Sequence, residues 1–360
     1  MPRELLRQHA EQAFQSELEA LQKVDTYPKP PSWHLSPWAV LQYVMGGELE
    51  DGTTITPKYI GSSRLMEIAI ATLATDRALL LLGVPGTAKT WVSEHLAAAI
   101  SGDSTLLIQG TAGTSEELLR YNWNYALLLS KGPSEEALVP SPVMKGMEQG
   151  KIVRVEELTR MPAEVQDSLI TLLSEKVMPI PELNAEVQAV KGFNLIATAN
   201  NRDQGVSELS AALRRRFNTV VLPLPATLEV EVEIVNTRVE AIGEALEIPQ
   251  TESAQEEIKR LITIFRELRE GKTLDGTARL KSPQATLSTA EAISVVTNSL
   301  SLAAHFGSGT LSSQDMAASL VGAIIKNPQQ DTPIFQEYLE TVVKERDGWD
   351  SLYRACKELL

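Results

Sequence analysis

The sequence predicts an α/β fold: a phosphate-loop core on a parallel β-sheet flanked by helices, followed by an α-helical domain. Three observations predict it. "LLLLGVPGTAKTW" (79–91) passes from an apolar run through a glycine-broken turn into helical spacing. Between 79 and 222, short apolar runs alternate with helical patterns, the arrangement of a parallel sheet covered by helices. From Thr227 onward the pattern is almost entirely helical, with interruptions near 271–283 and 307–312.

Composition bounds the alternatives. The chain has 360 residues, enough for one large or two to three ordinary domains, and 43% of them are hydrophobic, which excludes a disordered chain. A net charge of −14 argues against nucleic acid or an anionic membrane as the main partner. With one cysteine, Cys356, no intrachain disulfide forms, so a reducing, cytoplasmic setting is expected and Cys356 reads as a small packed residue. No apolar run approaches the ~20 residues of a membrane span. The charged start "MPRELLRQHAEQAF" is not that of a signal peptide.

Each element has its own warrant. Leu6, Ala10, Phe14, Leu18 and Leu21 fall on one face of a helix over 4–23. "YPKPPSWHLSPW" (27–38) reads as an extended strap, with Trp33 and Trp38 packed on a surface. A helix over 60–77 precedes the first core strand, 79–82. A helix over 90–100, strands at 105–109 and 152–156, a helix over 162–174 and strands at 194–198 and 219–222 complete the core. This divides the chain into an N-terminal helix and strap (1–55), a nucleotide-binding core (56–226), a helical domain (227–330) and a C-terminal helical extension (331–360).

The turn after the first strand has the context that a phosphate loop requires. Small residues let backbone N–H groups curl around phosphate oxygens at a helix N-terminus. Val84, Pro85, Gly86, Thr87, Ala88, Lys89, Thr90 and Trp91 are the candidates for nucleotide contact. Lys89 would reach the β/γ-phosphates and the Thr90 hydroxyl would ligate Mg²⁺. Ala88 stands where the usual motif has its second glycine.

Hydrolysis needs a metal carboxylate and a base for water at the end of another strand. "KIVRVEELTRMPAEVQDSLITLLSE" (151–175) offers Glu156, facing the metal, and Glu157, activating water. A Glu-Glu pair replaces the usual Asp-Glu. "FNLIATANNRDQG" (193–205) ends a strand in Asn200-Asn201, whose amide would reach phosphate and water. "ALRRRFNTVVLPLP" (212–225) carries Arg214, Arg215 and Arg216, candidates for an arginine supplied to a neighbouring subunit.

Together, GVPGTAKT, VEELTRMPAEVQ, ATANN and LRRRF, with "QGTAGTSEELLRY" (109–121), resemble the AAA+ ATPases of MoxR type over about 60–330. The resemblance implies ATP and Mg²⁺ as cofactors, Lys89 and Thr90 as Walker A, Glu156-Glu157 as Walker B and Asn200 as sensor 1. It implies Arg216 as the arginine finger, with Arg215 the fallback. "YIGSSRL" (59–65) matches the adenine segment, making Ile60 and Gly61 backbone contacts. In "LKSPQATLSTAEA" (280–292), Gln284 occupies the place of the sensor 2 arginine, and a neutral amide does not replace a guanidinium. Insertions of the family fit 121–150 and a hairpin over 176–192. Alternation of Tyr121, Trp123 and Tyr125 suits a half-buried hairpin better than a partner-facing strand.

What the resemblance implies is a homo-oligomeric ring, a hexamer, that remodels or activates a protein client of the kind bearing a von Willebrand A domain. A nucleotide-gated binding module with little turnover is the second reading, because Glu156 and Gln284 depart from pattern. A metal-chelatase motor subunit is a third, resting on fold analogy alone.

Overall fold

The structure, a computed structural model, describes residues 5–200, 208–246, 248 and 254–360. Residues 7–84 and 88–222 form one compact unit, and 223–360, with which 5–6 and 85–87 are grouped, the other.

In the first unit, α1 (Ala10–Ala13) and α2 (Gln15–Val24) replace the single predicted helix. The break falls at Phe14, whose backbone leaves helical geometry (φ −118°, ψ 29°). Its ring packs edge-on against Tyr43, Trp91 and His95, a set of contacts that local periodicity does not encode. The strap is shorter than predicted. Ser36 accepts from the Ala39 amide, and Pro37 then opens α3 (Pro37–Met45) as its first residue, where its missing N–H costs nothing. Trp33 is buried, and Trp38 stacks on Tyr27 at 4.9 Å. Two short strands, β1 (Gly47–Glu48) and β2 (Thr54–Ile55), pair antiparallel. The predicted helix over 60–77 contracts to α4 (Ser63–Leu73), because the buried Asn194 side chain donates to the carbonyls of Leu73, Thr75 and Arg77 and holds that stretch as a turn.

The central sheet is built from β3 (Ala78–Gly83), which leads into α5 (Lys89–Ser101), and four later strands. In chain order come β4 (Leu107–Gln109), α6 (Glu116–Leu119), β5 (Tyr121–Trp123), α7 (Tyr125–Lys131), β6 (Leu138–Pro140), α8 (Pro142–Gln149) and β7 (Ile152–Glu156). They are followed by α9 (Ala163–Glu175), β8 (Val177–Ile180), β9 (Ala185–Gln188), β10 (Asn194–Asn200), α10 (Ala211–Arg214) and β11 (Phe217–Val221). The five-stranded sheet has the order β11-β3-β10-β7-β4, and every pairing is parallel. Leu79 and Leu81 face α3, α4 and α5, while Ala78 and Leu80 face α8 and α9. Burial on both faces is why these strands read as unbroken apolar runs.

The expected hairpin over 176–192 is β8 paired with β9. In the 121–150 insertion, β5 pairs with β6, but Tyr125 is not a third alternating strand residue. Asn124 accepts from the Leu127 amide and caps α7 instead. None of the residues of α7 is buried, and Leu129 is 89% exposed.

The second unit comprises α11 (Leu228–Ala245), α12 (Ala254–Glu270), α13 (Thr289–Phe306), α14 (Ser313–Ile324), α15 (Pro328–Tyr338), one π-helical turn at Leu339–Val343 and α16 (Asp350–Glu358). Capping boxes at Ser288/Glu291 and Ser312/Asp315 restart the chain as helix after the two predicted interruptions. Phe335, Leu352 and Cys356 join the same core as Val235, Phe265 and Leu320. Burial pushes the Cys356 thiol up to about 12.

Glu231 is buried on α11 and receives Arg266 at 3.0 Å, Arg269 at 2.9 Å and the Thr289 hydroxyl at 2.8 Å. Removing one partner of a buried ion network leaves the rest uncompensated. Glu231→Ala is therefore expected to destabilise this unit by about 3–5 kcal/mol, measured by chemical unfolding. A loss below about 1 kcal/mol would place this cluster among ordinary surface pairs.

Candidate functional site

The turn between β3 and α5 owes its shape to two residues with left-handed backbone, Gly86 (φ 81°) and Ala88 (φ 61°). Ala88 adopts at some steric cost a conformation that glycine takes freely, so the alanine in place of the motif's second glycine does not change the local path. Helix α5 begins at once with Lys89.

Lys89 is buried, and its ammonium donates to the carbonyls of Gly83 and Val84, both at 3.0 Å, and to Asn200 Oδ1 at 2.6 Å. Register explains the last contact: Asn200 lies directly opposite Gly83 where β10 pairs with β3. From the same amide, Nδ2 donates to both carboxylate oxygens of Glu157, at 3.1 and 3.0 Å. Lys89, Asn200 and Glu157 thus form one hydrogen-bonded chain. Glu157 itself is left-handed (φ 54°), and its backbone N–H donates to Thr198 Oγ1 at 3.0 Å. Arg160 lies 3.6 Å from its carboxylate.

Glu156 forms a second centre. Its carboxylate accepts from Thr90 Oγ1 at 2.9 Å, Thr198 Oγ1 at 2.6 Å and Arg154 Nη2 at 3.1 Å, and from the Ser93 hydroxyl. Thr90 and Ser93 share a face of α5 at i, i+3. Arg154 and Glu156 share a face of β7 at i, i+2. Because Ile196 pairs with Arg154 in the β10–β7 ladder, Thr198 comes opposite Glu156. The extra methylene of glutamate over aspartate carries the carboxylate across to α5. On the other side of β7, the close approach of Gly110 excludes a side chain: a Cβ there would stand 2.3 Å from the Glu157 carbonyl.

Of the sequence-predicted residues, the structure brings together Lys89, Thr90, Glu156, Glu157 and Asn200. Val84, Pro85, Gly86, Thr87 and Ala88 form the turn beside them. Trp91 follows Thr90, but its ring turns towards His95 at 4.2 Å and Phe14 at 6.4 Å. Ile60 and Gly61 lie in the loop before α4, where Gly61 is so near the buried Tyr59 ring that a Cβ would meet its hydroxyl at 2.7 Å. Gln284 belongs to the second unit. Its backbone N–H donates to Asp331 at 3.0 Å, and its side chain donates to Gln330. Asn201 lies outside the described residues.

Arg216 is elsewhere on the sheet. Phe217 pairs with Ala78, so Arg216 sits at the edge where β3 begins, and Gly83 at the edge where it ends. Six residues at about 3.3 Å each separate these edges by roughly 17–20 Å. The Arg216 guanidinium donates to Ser174 Oγ at 2.9 Å and the Ala212 carbonyl at 2.8 Å.

Sequence reasoning missed Ser93, Arg154 and Thr198. An arginine inside the buried run "KIVRVEE" and a threonine inside "LIATAN" were the available signals, since a buried polar side chain needs a partner. It also missed the brace on α5. Glu94 pairs with Arg7, and His95 Nδ1 meets Tyr43 Oη at 2.8 Å. Lys58 lies over the Phe14 and Tyr43 rings at 4.2 and 4.6 Å while pairing with Glu17 at 2.6 Å.

Comparison with known proteins gives the family. Residues 78–217 match the AAA domain (dynein-related subfamily), and 229–359 match the YehL-like AAA+ ATPase C-terminal domain. The chain is 41% identical to YehL of Escherichia coli (strain K12), over 99% of its own length and 98% of that protein's. It is 26% identical to protein NorQ of Paracoccus denitrificans (strain Pd 1222), over 51% of this chain and 66% of the other. Among solved structures, NtrX of Brucella abortus in complex with ADP superimposes with a TM-score of 0.50 at 15% identity. That match covers 77% of this chain and 58% of NtrX, and shows a shared fold. No helix among the described residues is long and apolar enough to cross a membrane. The chain belongs to the AAA+ ATPases of MoxR/YehL type.

Proposed function

We propose that this protein hydrolyses ATP with Mg²⁺, and that it does so in a homo-oligomeric ring, a hexamer, that remodels or activates a protein client in the cytoplasm. One observation carries the reading. The Lys89–Asn200–Glu157 chain and the Thr90–Glu156 pair converge at the carboxyl ends of adjacent parallel strands, where open α/β sheets bind ligands.

The residues fit the groups assigned to them. A buried ammonium whose partners include two loop carbonyls and an amide oxygen suits the β/γ-phosphates. A hydroxyl and a carboxylate already in contact suit a hard divalent cation. Magnesium, when bound, neutralises charge on the phosphate oxygens. Thr90 and Glu156 would hold it, Glu157 would orient and deprotonate water, and Asn200, which donates to Glu157, would meet the phosphate. Ile60 and Gly61 contact adenine, and Gln284, at the place of the sensor 2 arginine, is assigned to the nucleotide by the resemblance alone. Arg216 completes the site of a neighbouring subunit. A protein client, of the class with a von Willebrand A domain, fits better than nucleic acid at a net charge of −14. The exposed α7, with Tyr125 and Leu129 outward, supports partner contact.

Lys89→Ala tests the reading. It should abolish ATP binding in equilibrium titration while leaving the melting transition in place. Unchanged affinity would overturn the phosphate-loop assignment.

A second reading, a nucleotide-gated module with little turnover, is favoured by the Glu156–Arg154 ion pair and by neutral Gln284. Turnover of the wild type no faster than that of Glu157→Gln would select it.

A further inference from the structure

We propose that Arg154 is an internal counter-cation of the nucleotide site: by neutralising Glu156 it lets the protein bind ATP with little dependence on Mg²⁺. The inference rests on the ATP and Mg²⁺ reading above.

Arg154 stands in the middle of β7, and its side chain is 4% exposed. Its guanidinium makes four hydrogen bonds. Nε donates to Ser93 Oγ, Nη1 to the Ser104 carbonyl, and Nη2 to both the Thr90 carbonyl and Glu156 Oε1, each at 3.1 Å. A guanidinium stays charged when buried, so the charge beside Thr90 and Glu156 is permanent. Two of its four contacts go to the residues assigned to the metal, and a third to Ser93, which also holds Glu156. A purely structural role at this depth would be met by an apolar side chain, since buried ion pairs seldom add stability over well-packed hydrophobic residues.

The consequence is electrostatic. An unpaired carboxylate beside the phosphates attracts Mg²⁺ and repels metal-free ATP, so nucleotide binding waits on the metal. With Arg154 in place the local pair sums to zero. Metal-free ATP then meets Lys89 and the loop amides without an opposing charge, and the ion is recruited chiefly by the phosphates and Thr90. Arg154 is thus a positioning residue that sets the metal dependence of binding.

The test is equilibrium binding of a fluorescent ATP analogue to the full-length protein, in EDTA and in Mg²⁺, read as the ratio of the two dissociation constants. In the wild type the ratio should stay within about tenfold. In Arg154→Gln it should rise by a further tenfold or so, the scale of one uncompensated charge about 12 Å away at an effective dielectric of about 20. Arg154→Lys should bring it back. General loosening of the fold weakens both affinities and leaves their ratio unmoved. Glu156→Gln supplies the reverse arm: it leaves Arg154 unpaired and should strengthen metal-free binding above wild type, which loss of a metal ligand alone does not do. An unchanged ratio in folded Arg154→Gln overturns the proposal. Should that variant fail to fold, unchanged metal-free affinity in Glu156→Gln overturns it instead. Failure of the wild type to bind the analogue in either buffer, or binding undiminished in Lys89→Ala, would refute the nucleotide reading itself.

Discussion

Arg216→Ala is expected to bind ATP as the wild type does and to lose about 10³-fold or more in hydrolysis, the scale of an arginine supplied in trans. The sheet gives the physical reason. Arg216 adjoins the edge where β3 starts, and Lys89 follows the edge where it ends. An arginine side chain does not bridge the roughly 17–20 Å between them, so within one chain Arg216 serves no phosphate. Arg214 and Arg215 stand exposed beside it, and three adjacent like charges repel unless anions lie close by. A neighbour's ATP and acidic pair would supply that charge. Mixing Arg216→Ala with Lys89→Ala should therefore restore part of the activity: the first donates a working nucleotide site, the second an intact arginine. If the mixture stays inactive while light scattering shows co-assembled rings, the role passes to Arg215.

Glu157→Gln should still bind ATP yet lose roughly 10²-fold or more in turnover, as expected when a general base is removed. Its carboxylate is held by the Asn200 amide at 3.1 and 3.0 Å and approached by Arg160, and it keeps 22% exposure, enough to admit water. Glu156 accepts from four donors, Thr90, Ser93, Thr198 and Arg154, which leaves it no lone pair to take a proton from water and sets it to act on the ion through the Thr90 hydroxyl. Glu156→Gln should accordingly raise the Mg²⁺ concentration needed for turnover. Reversed phenotypes, measured as turnover against Mg²⁺, would exchange the two roles. If the protein acts on a client as proposed, a Glu157→Gln protein loaded with ATP is the form expected to capture it.

Much of the site is legible in the sequence where the chemistry is local. The path from Leu79 to Thr90 needs only an apolar run, small residues in the turn and a helix start, all within twelve residues. Glu156, Glu157 and Asn200 are legible for a related reason: each closes an apolar strand, and a polar residue at the carboxyl end of a parallel strand faces the ligand edge. Arg154 breaks that rule. An arginine in mid-strand ordinarily points to solvent, and its meaning appears only when the Ser93 and Thr90 groups of α5 are set above it. Phe14 is similar. Periodicity places it within one helix over 4–23, whereas the chain breaks at Phe14, where its ring meets Tyr43, Trp91 and His95.

By itself the sequence determined the parallel α/β core with its helical partner, the phosphate-loop turn and the acids that end β7, because strand and helix periodicity and turn chemistry act over a few residues. Tertiary structure alone decided the register that sets Thr198 against Glu156 and Asn200 against Gly83, and the N-terminal brace on α5. It alone set the Arg154–Glu156 face of β7 against α5, and Arg216 at the far edge of the sheet. These depend on pairings between segments tens of residues apart, whose geometry follows from burying both faces of one sheet at once and is written in no single stretch of chain.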